Sequence, residues 1–261
     1  MAYVGHSDGV NSDIATNYTE YLSDLKMFPL VSKAYPVNPY VSLTSKCNMH
    51  PRCSMCFSQG VGKDLDSIVY DRLSKSLFKY SLGLCLTIDG EPIIYPSFDK
   101  VCDTINGWII LQTNGISKKL REPEILNNLK SVYISLDAAT TETYCKFRPN
   151  YFDKVIDNTK FLLDYRKGKK CLGCVRLDFI LMQCTKHEVF AFMDLAKSLG
   201  VDGVYIAYLI PVPHNVGDKS YHGFHFNYEE QLIPMDEVMD ITNKCYSYGK
   251  KINLHVLGAC K

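Results

Sequence analysis

The chain has 261 residues, of which 46% are hydrophobic and 22% charged, enough to bury the core of one large α/β domain. A formal net charge of +1 gives no electrostatic reason to expect a polyanion, so nucleic acid is not the expected partner. Residues 1–18 lack the basic-then-apolar order of a secretory signal, and the longest strand-like apolar run, 175–182, is far too short to cross a bilayer; a cytoplasmic protein without a membrane partner is expected.

In chain order, residues 1–38 read as an N-terminal helical extension, with Ile14, Tyr18, Tyr21, Leu22 and Leu25 at helical spacing and expected to pack on the domain that follows. From residue 39 to 261, short β-branched runs alternate with amphipathic stretches. Strands are predicted at 40–45, 84–88, 108–112, 131–136, 175–181, 203–207 and 252–256, and helices at 65–80, 98–105, 118–129, 152–166, 187–199 and 235–248. Helix 187–199 presents Val189, Phe190, Phe192, Met193, Leu195, Ala196 and Leu199 as a core face and is closed by Gly200. Repeated strand–helix units predict a parallel sheet in a partial (βα)6-type barrel, with the ligand site at the C-terminal ends of the strands. The stretch 211–234, rich in Pro, His, Gly and Tyr, reads as a long functional loop, a lid or a substrate contact.

Eleven cysteines in a chain of this size direct attention to their spacing. Cys47, Cys53 and Cys56 fall within ten residues, directly after the first predicted strand. Three thiolates can ligate three irons of a [4Fe-4S] cluster and leave the fourth iron open to a small chelating molecule. Adding His50 completes a zinc-knuckle set, C-x2-H-x2-C-x2-C, so this segment alone suits zinc equally well.

The segments that follow bear on that choice. Asp89-Gly90-Glu91-Pro92 follows the second strand and Thr113-Asn114-Gly115 ends the third. Ser135-Leu136-Asp137, with Tyr144 and Arg148 beyond it, ends the fourth. In this order and at these strand ends, the chain resembles the radical S-adenosylmethionine superfamily over about residues 40–210. The cysteine spacing is a C-x5-C-x2-C variant of that family's usual C-x3-C-x2-C, and Asp89 stands where the family has a first glycine. The resemblance implies a [4Fe-4S] cluster on Cys47, Cys53 and Cys56 and S-adenosyl-L-methionine as second cofactor. It also implies contacts to that cofactor from Phe57, Gly90, Glu91, Thr113, Asn114, Ser135, Asp137 and Arg148, with Arg148 suited to clamp a carboxylate. The Ser135-to-Arg148 pattern is similar to the subgroup that often carries a SPASM extension, although too few cysteines follow the barrel for a complete one.

The function expected from the resemblance is reductive cleavage of S-adenosylmethionine to a 5′-deoxyadenosyl radical. That radical would abstract hydrogen from a sugar, nucleotide or amino acid. A peptide-modifying enzyme and a non-enzymatic zinc module on Cys47, His50, Cys53 and Cys56 stand as alternatives. A one-electron donor such as flavodoxin or ferredoxin is the implied partner. Cys145 is a candidate catalytic residue, as a radical quencher. Cys171 and Cys174 read as strand-edge packing, and His214, His222 and His225 as loop surface chemistry without metal. Tyr208, Tyr221, Phe224, Phe226 and Tyr228 suggest an aromatic wall over the barrel mouth.

Overall fold

The computed structural model describes residues 11–29, 31–56, 58, 62–87, 89–105, 107–167, 172–211 and 218–258. Seven strands form one sheet: β1 Tyr40–Val41, β2 Gly83–Leu86, β3 Trp108–Thr113, β4 Leu129–Ser135, β5 Cys174–Leu181, β6 Gly203–Tyr208 and β9 His255–Gly258. They pair in that order, every neighbour parallel. Each connection is a crossover, and those between successive strands from β2 to β6 carry helices: α3 Phe98–Thr104, α4 Pro123–Leu126, α5 Thr141–Tyr144 and α6 Phe152–Lys167, and α7 Val189–Leu199. This is the predicted α/β parallel architecture, with β1 and β9 as its edges.

Alternation along the strands sorts the side chains into two sets. Leu84, Leu86, Ile109, Leu111, Val132, Ile134, Val175, Leu177 and Phe179 are all at most 1% exposed and make the core with the helices. The intervening residues, Cys85, Thr87, Gln112, Tyr133, Arg176, Asp178 and Tyr205, line a cavity on the other face.

Several sequence expectations shift locally, for identifiable reasons. Strand β1 stops at Val41, and residues 43–45 instead bond to residues 63–65 (Ser45 N–H to Lys63 O and Leu65 N–H to Leu43 O, each 2.8 Å), which ties the neck of the cysteine loop. Helix α2 spans Ser67–Ser76, because the Asp66 carboxylate caps it at Ile68 and Val69 N–H. The predicted helix 118–129 is split into the turn Lys118–Arg121 and α4, since Pro123 cannot continue an N–H ladder. The last strand begins at His255 because Ile252 still belongs to α8 Met235–Ile252.

The N-terminal helix α1 Ser12–Met27 docks differently from its apolar stripe. Ile14 and Asn17 are its buried residues, whereas Tyr18, Leu22 and Leu25 are exposed. Asn17 donates to Tyr35 O and Tyr80 O and accepts from Tyr35 N–H at 2.7 Å, so a buried amide rather than a leucine row fixes the helix. Helix α7 ends on Gly200 at φ 83°, the left-handed cap that glycine favours. On its expected core face Phe190 is 38% exposed and packs edge-on against Tyr248. Residues 218–234 are not a structureless loop: they contain an antiparallel hairpin, β7 Lys219–Tyr221 with β8 Phe224–Phe226. Phe226 and Tyr228, expected over the barrel mouth, are buried in the core. Among the described residues, no helix is long and apolar enough to cross a membrane.

Candidate active site

The cysteine loop leaves β1 and is held by three other strand ends. Glu91 N–H donates to Lys46 O at 2.8 Å. Gly90, at φ 65°, lies so close that a Cβ there would stand 2.3 Å from Thr44 O and 2.4 Å from Lys46 O, which is why glycine is required. The Glu91 carboxylate, 1% exposed, accepts from Thr113 Oγ1 and from Asn114 N–H, both at 2.7 Å. Burial pushes Glu91 up to about 7, against those two hydrogen bonds. Thus the motifs after β2 and β3 form one bracket under the loop.

Three donors point at the sulfurs. Met49 N–H lies 3.5 Å from Cys47 Sγ, Asn114 Nδ2 lies 3.7 Å from the same atom, and Arg148 Nη1 lies 3.4 Å from Cys53 Sγ. Asn114 Nδ2 also donates to Asn48 Oδ1 at 2.7 Å. Burial raises the Cys47 thiol and pushes Cys53 up to about 11, Arg148 opposing the latter. The charges of Cys47 and Cys56 both act on Cys53, so the three thiols share one neighbourhood.

Arg148 completes the site from α5 and its exit. Its Nε donates to Asp137 Oδ2 at 3.1 Å, its Nη2 bonds the same oxygen, and Asp137 Oδ1 accepts from Ile180 N–H at 2.9 Å. Burial works against the charge of Arg148, but Cys53 and Asp137 more than offset it and keep the guanidinium protonated. The carboxylate that Arg148 clamps in this structure is therefore Asp137. Asp137 itself is 0% exposed and sits at φ 62°. The segment that delivers Arg148 is pinned by Glu188, which accepts from Ala139 N–H, Thr140 Oγ1 and Thr143 Oγ1 at 2.9, 2.7 and 2.9 Å.

Gly90, Glu91, Thr113, Asn114, Asp137 and Arg148 are thus joined to the cysteine loop through direct contacts or one another. Ser135 is half-buried in β4, two residues before Asp137. Phe57 lies outside the described residues, as do Cys171 and His214. Cys145 caps α5, half-buried against the core, and burial raises its thiol. Cys174 is half-buried at the start of β5. His222 and His225 are exposed on the hairpin, His225 Nε2 lying 3.3 Å from Asp218. His50 is exposed, and no three His, Cys, Asp or Glu side chains among the described residues converge on a single metal ion.

Two features escaped the sequence. Lys219, on β7, reaches over the loop and donates to Cys53 O at 3.2 Å, with Cys56 and Cys53 as its opposite charges. Below the loop, Arg176 and Asp178 form a two-pronged ion pair at 2.6 and 3.0 Å. A visible signal existed for the pair: two opposite charges two residues apart in an otherwise apolar strand occupy one face and need a polar interior.

The fit to a cluster rests on this donor set. Three neighbouring thiols with N–H donors aimed at two of them suit iron–sulfur ligation, where such bonds tune the metal. The chain is 26% identical over 183 residues to the "Probable GTP 3′,8-cyclase" of Saccharolobus solfataricus, covering 66% of this chain and 56% of the relative. It is 25% identical over 173 residues to the corresponding protein of Methanococcus maripaludis, with 61% and 55% covered. These likenesses support the radical S-adenosylmethionine superfamily that the motifs resemble.

The chain spans a little over half the length of these curated relatives. No protein-family model matches it. The fold is shared with Streptococcus suis SuiB bound to S-adenosylmethionine, at TM-score 0.66 and 14% identity over 93% of this chain and 53% of SuiB. It is shared too with anSMEcpe bound to AdoMet and the Cp18Cys peptide, at TM-score 0.66 and 15% identity over 85% of this chain and 63% of that one.

Proposed function

We propose that this chain is a radical S-adenosylmethionine enzyme whose [4Fe-4S] cluster is held by Cys47, Cys53 and Cys56. The observation that carries the reading is the set of N–H donors from Met49, Asn114 and Arg148, drawn from three separate elements onto Cys47 and Cys53. When bound and reduced, the cluster supplies one electron to the sulfonium of S-adenosylmethionine, which yields methionine and a hydrogen-abstracting 5′-deoxyadenosyl radical.

The protein's share is placement. Gly90 admits the cysteine loop against the strand end, and Glu91, Thr113 and Asp137 act as positioning residues through Asn114 and Arg148. Asn114, Ser135 and Arg148 orient the cofactor; Arg148, already turned toward Cys53, keeps N–H donors beyond those given to Asp137 and Cys53 for its carboxylate. Residues 39–261 act as the barrel unit and 1–38 as an appendage to it. Hydrogen abstraction from a small organic substrate is the reaction we favour, with a flavodoxin- or ferredoxin-type protein as electron donor. Thiolate ligands and the need for a low-potential donor suit the reducing cytoplasm.

The test is anaerobic reconstitution with iron and sulfide, reduction in the presence of S-adenosylmethionine and assay of 5′-deoxyadenosine, in wild type and Cys53→Ala. The product is expected from wild type alone. A colourless protein that binds one zinc, lost in His50→Ala, would overturn the reading in favour of the zinc module.

A further inference from the structure

The cavity below the cysteine loop has a volume of about 370 Å3 and is lined by tyrosines, apolar side chains and one ion pair. Its rigid centre is Arg176. The guanidinium lies 3.5 Å from the ring centroid of Tyr133 and 5.0 Å from that of Tyr205, stacked between the two. Its Nε and one Nη2 proton are spent on Asp178, which also accepts from Gln112 Nε2 at 3.4 Å; Thr87 Oγ1 in turn donates to Gln112 Oε1 at 2.6 Å. Arg176 and Asp178 are only 15% and 7% exposed, so the arginine is largely enclosed and fixed in orientation. A guanidinium engaged along its Nε–Nη2 edge still has its Nη1–Nη2 edge, a second fork that matches a planar carboxylate.

We propose that this cavity is the substrate subsite and that it takes a monoanionic carboxylate on a small, partly apolar molecule, gripped by the outer edge of Arg176. The proposal rests on the reading of the chain as a radical enzyme and names its substrate class. Charge selects the ligand. Among the described residues lining the cavity, Arg176 is the one cation, and Asp178 already balances it. One further negative charge can be met by the free fork, whereas a triphosphate would bring several into a site with no second cation to receive them. The cavity therefore disfavours the nucleoside triphosphate named for the sequence relatives. Tyr40, Tyr133, Tyr205 and Ile110 provide the wall for an apolar body. Position agrees with chemistry. Gln112 lies in β3 two residues before Asn114, which stands just past the strand's end, so the cavity starts about 7 Å along the chain from the residue that touches Cys47.

Benzoate is a suitable probe, titrated into the full chain with ligand-observed NMR, with inorganic triphosphate as the comparison anion. Saturable benzoate binding is expected, weakened about tenfold or more in Arg176→Met and also weakened in Arg176→Lys, which keeps the charge but loses the fork. Circular dichroism establishes that each variant is folded, and the lysine variant decides if the methionine variant is not. No saturable binding, binding unchanged in the folded variants, tighter binding of triphosphate, or displacement of benzoate by S-adenosylmethionine would each overturn the assignment. This titration needs no cluster, so its failure is distinct from absence of 5′-deoxyadenosine, which tests the enzyme reading.

Discussion

The two faces of the same strands do different work. On the helix side, β4 presents Val132 and Ile134, both 0% exposed; on the cavity side the same strand presents Tyr133 and Ser135, half-buried and polar. β5 repeats the division, with Val175, Leu177 and Phe179 in the core and Arg176 and Asp178 in the cavity. The outer set is interchangeable hydrophobic bulk that fixes the fold. The inner set is individually bonded, and its members cannot be exchanged by volume alone. Strand alternation thus lets one segment specify architecture and chemistry at once.

The sharpest contrast comes from the cysteine loop, where Cys47→Ala, Cys53→Ala and Cys56→Ala should each abolish the cluster's visible absorbance and 5′-deoxyadenosine formation. Next in size is Asp137→Asn, which strips the buried Arg148 of its counter-charge. It should cost about 3–5 kcal/mol in denaturant unfolding, and the double variant with Arg148→Met should cost less than the sum of the singles. A cost below about 1 kcal/mol would break the view that the inner face depends on individual bonds.

Ile134→Ala tests the outer face and should lose roughly 3 kcal/mol of stability to a cavity while leaving the cysteine loop able to assemble its cluster. Glu91 adds a pH signature of similar size. Burial raises its folded-state value from 4.5 to about 7, so the folded chain holds the proton more tightly than the unfolded one across that interval. Stability from this group is therefore greatest at low pH and falls by roughly 3 kcal/mol as pH climbs from about 4.5 to about 7. Unfolding midpoints of the cluster-free chain should show that slope, flattened in Glu91→Gln. The smallest effect is expected at Lys219, whose ammonium faces Cys53 and Cys56. Lys219→Met should lower the cluster's midpoint potential by roughly 40 mV, equivalent to about 1 kcal/mol of lost charge attraction, with Lys219→Arg unchanged.

Much of this contrast was legible in one dimension. The order of β1 to β6, the cysteine triplet behind β1, and the Gly90-Glu91, Thr113-Asn114 and Asp137–Arg148 segments at successive strand ends all follow from local pattern. The pairing of those segments did not. Nothing in sequence separates an Arg148 that waits for a ligand from one bonded to Asp137, because the choice depends on the left-handed backbone at Asp137 and on Ile180 N–H arriving from another strand. The hairpin β7–β8 was hidden for a related reason: its three-residue strands are too short to show an alternation, and Phe226 and Tyr228 resemble surface aromatics until a core is present to receive them.

By itself, then, the sequence determined which residues could carry chemistry and at which strand ends they would stand, since period-two alternation and turn residues are properties of neighbours along the chain. Tertiary structure alone decided which of them meet. It set Glu91 under Asn114, Arg148 between Asp137 and Cys53, Lys219 over the loop, and Arg176 between Tyr133 and Tyr205. Those contacts join residues 11 to 166 positions apart, and they exist only once seven parallel strands bring their ends to one rim.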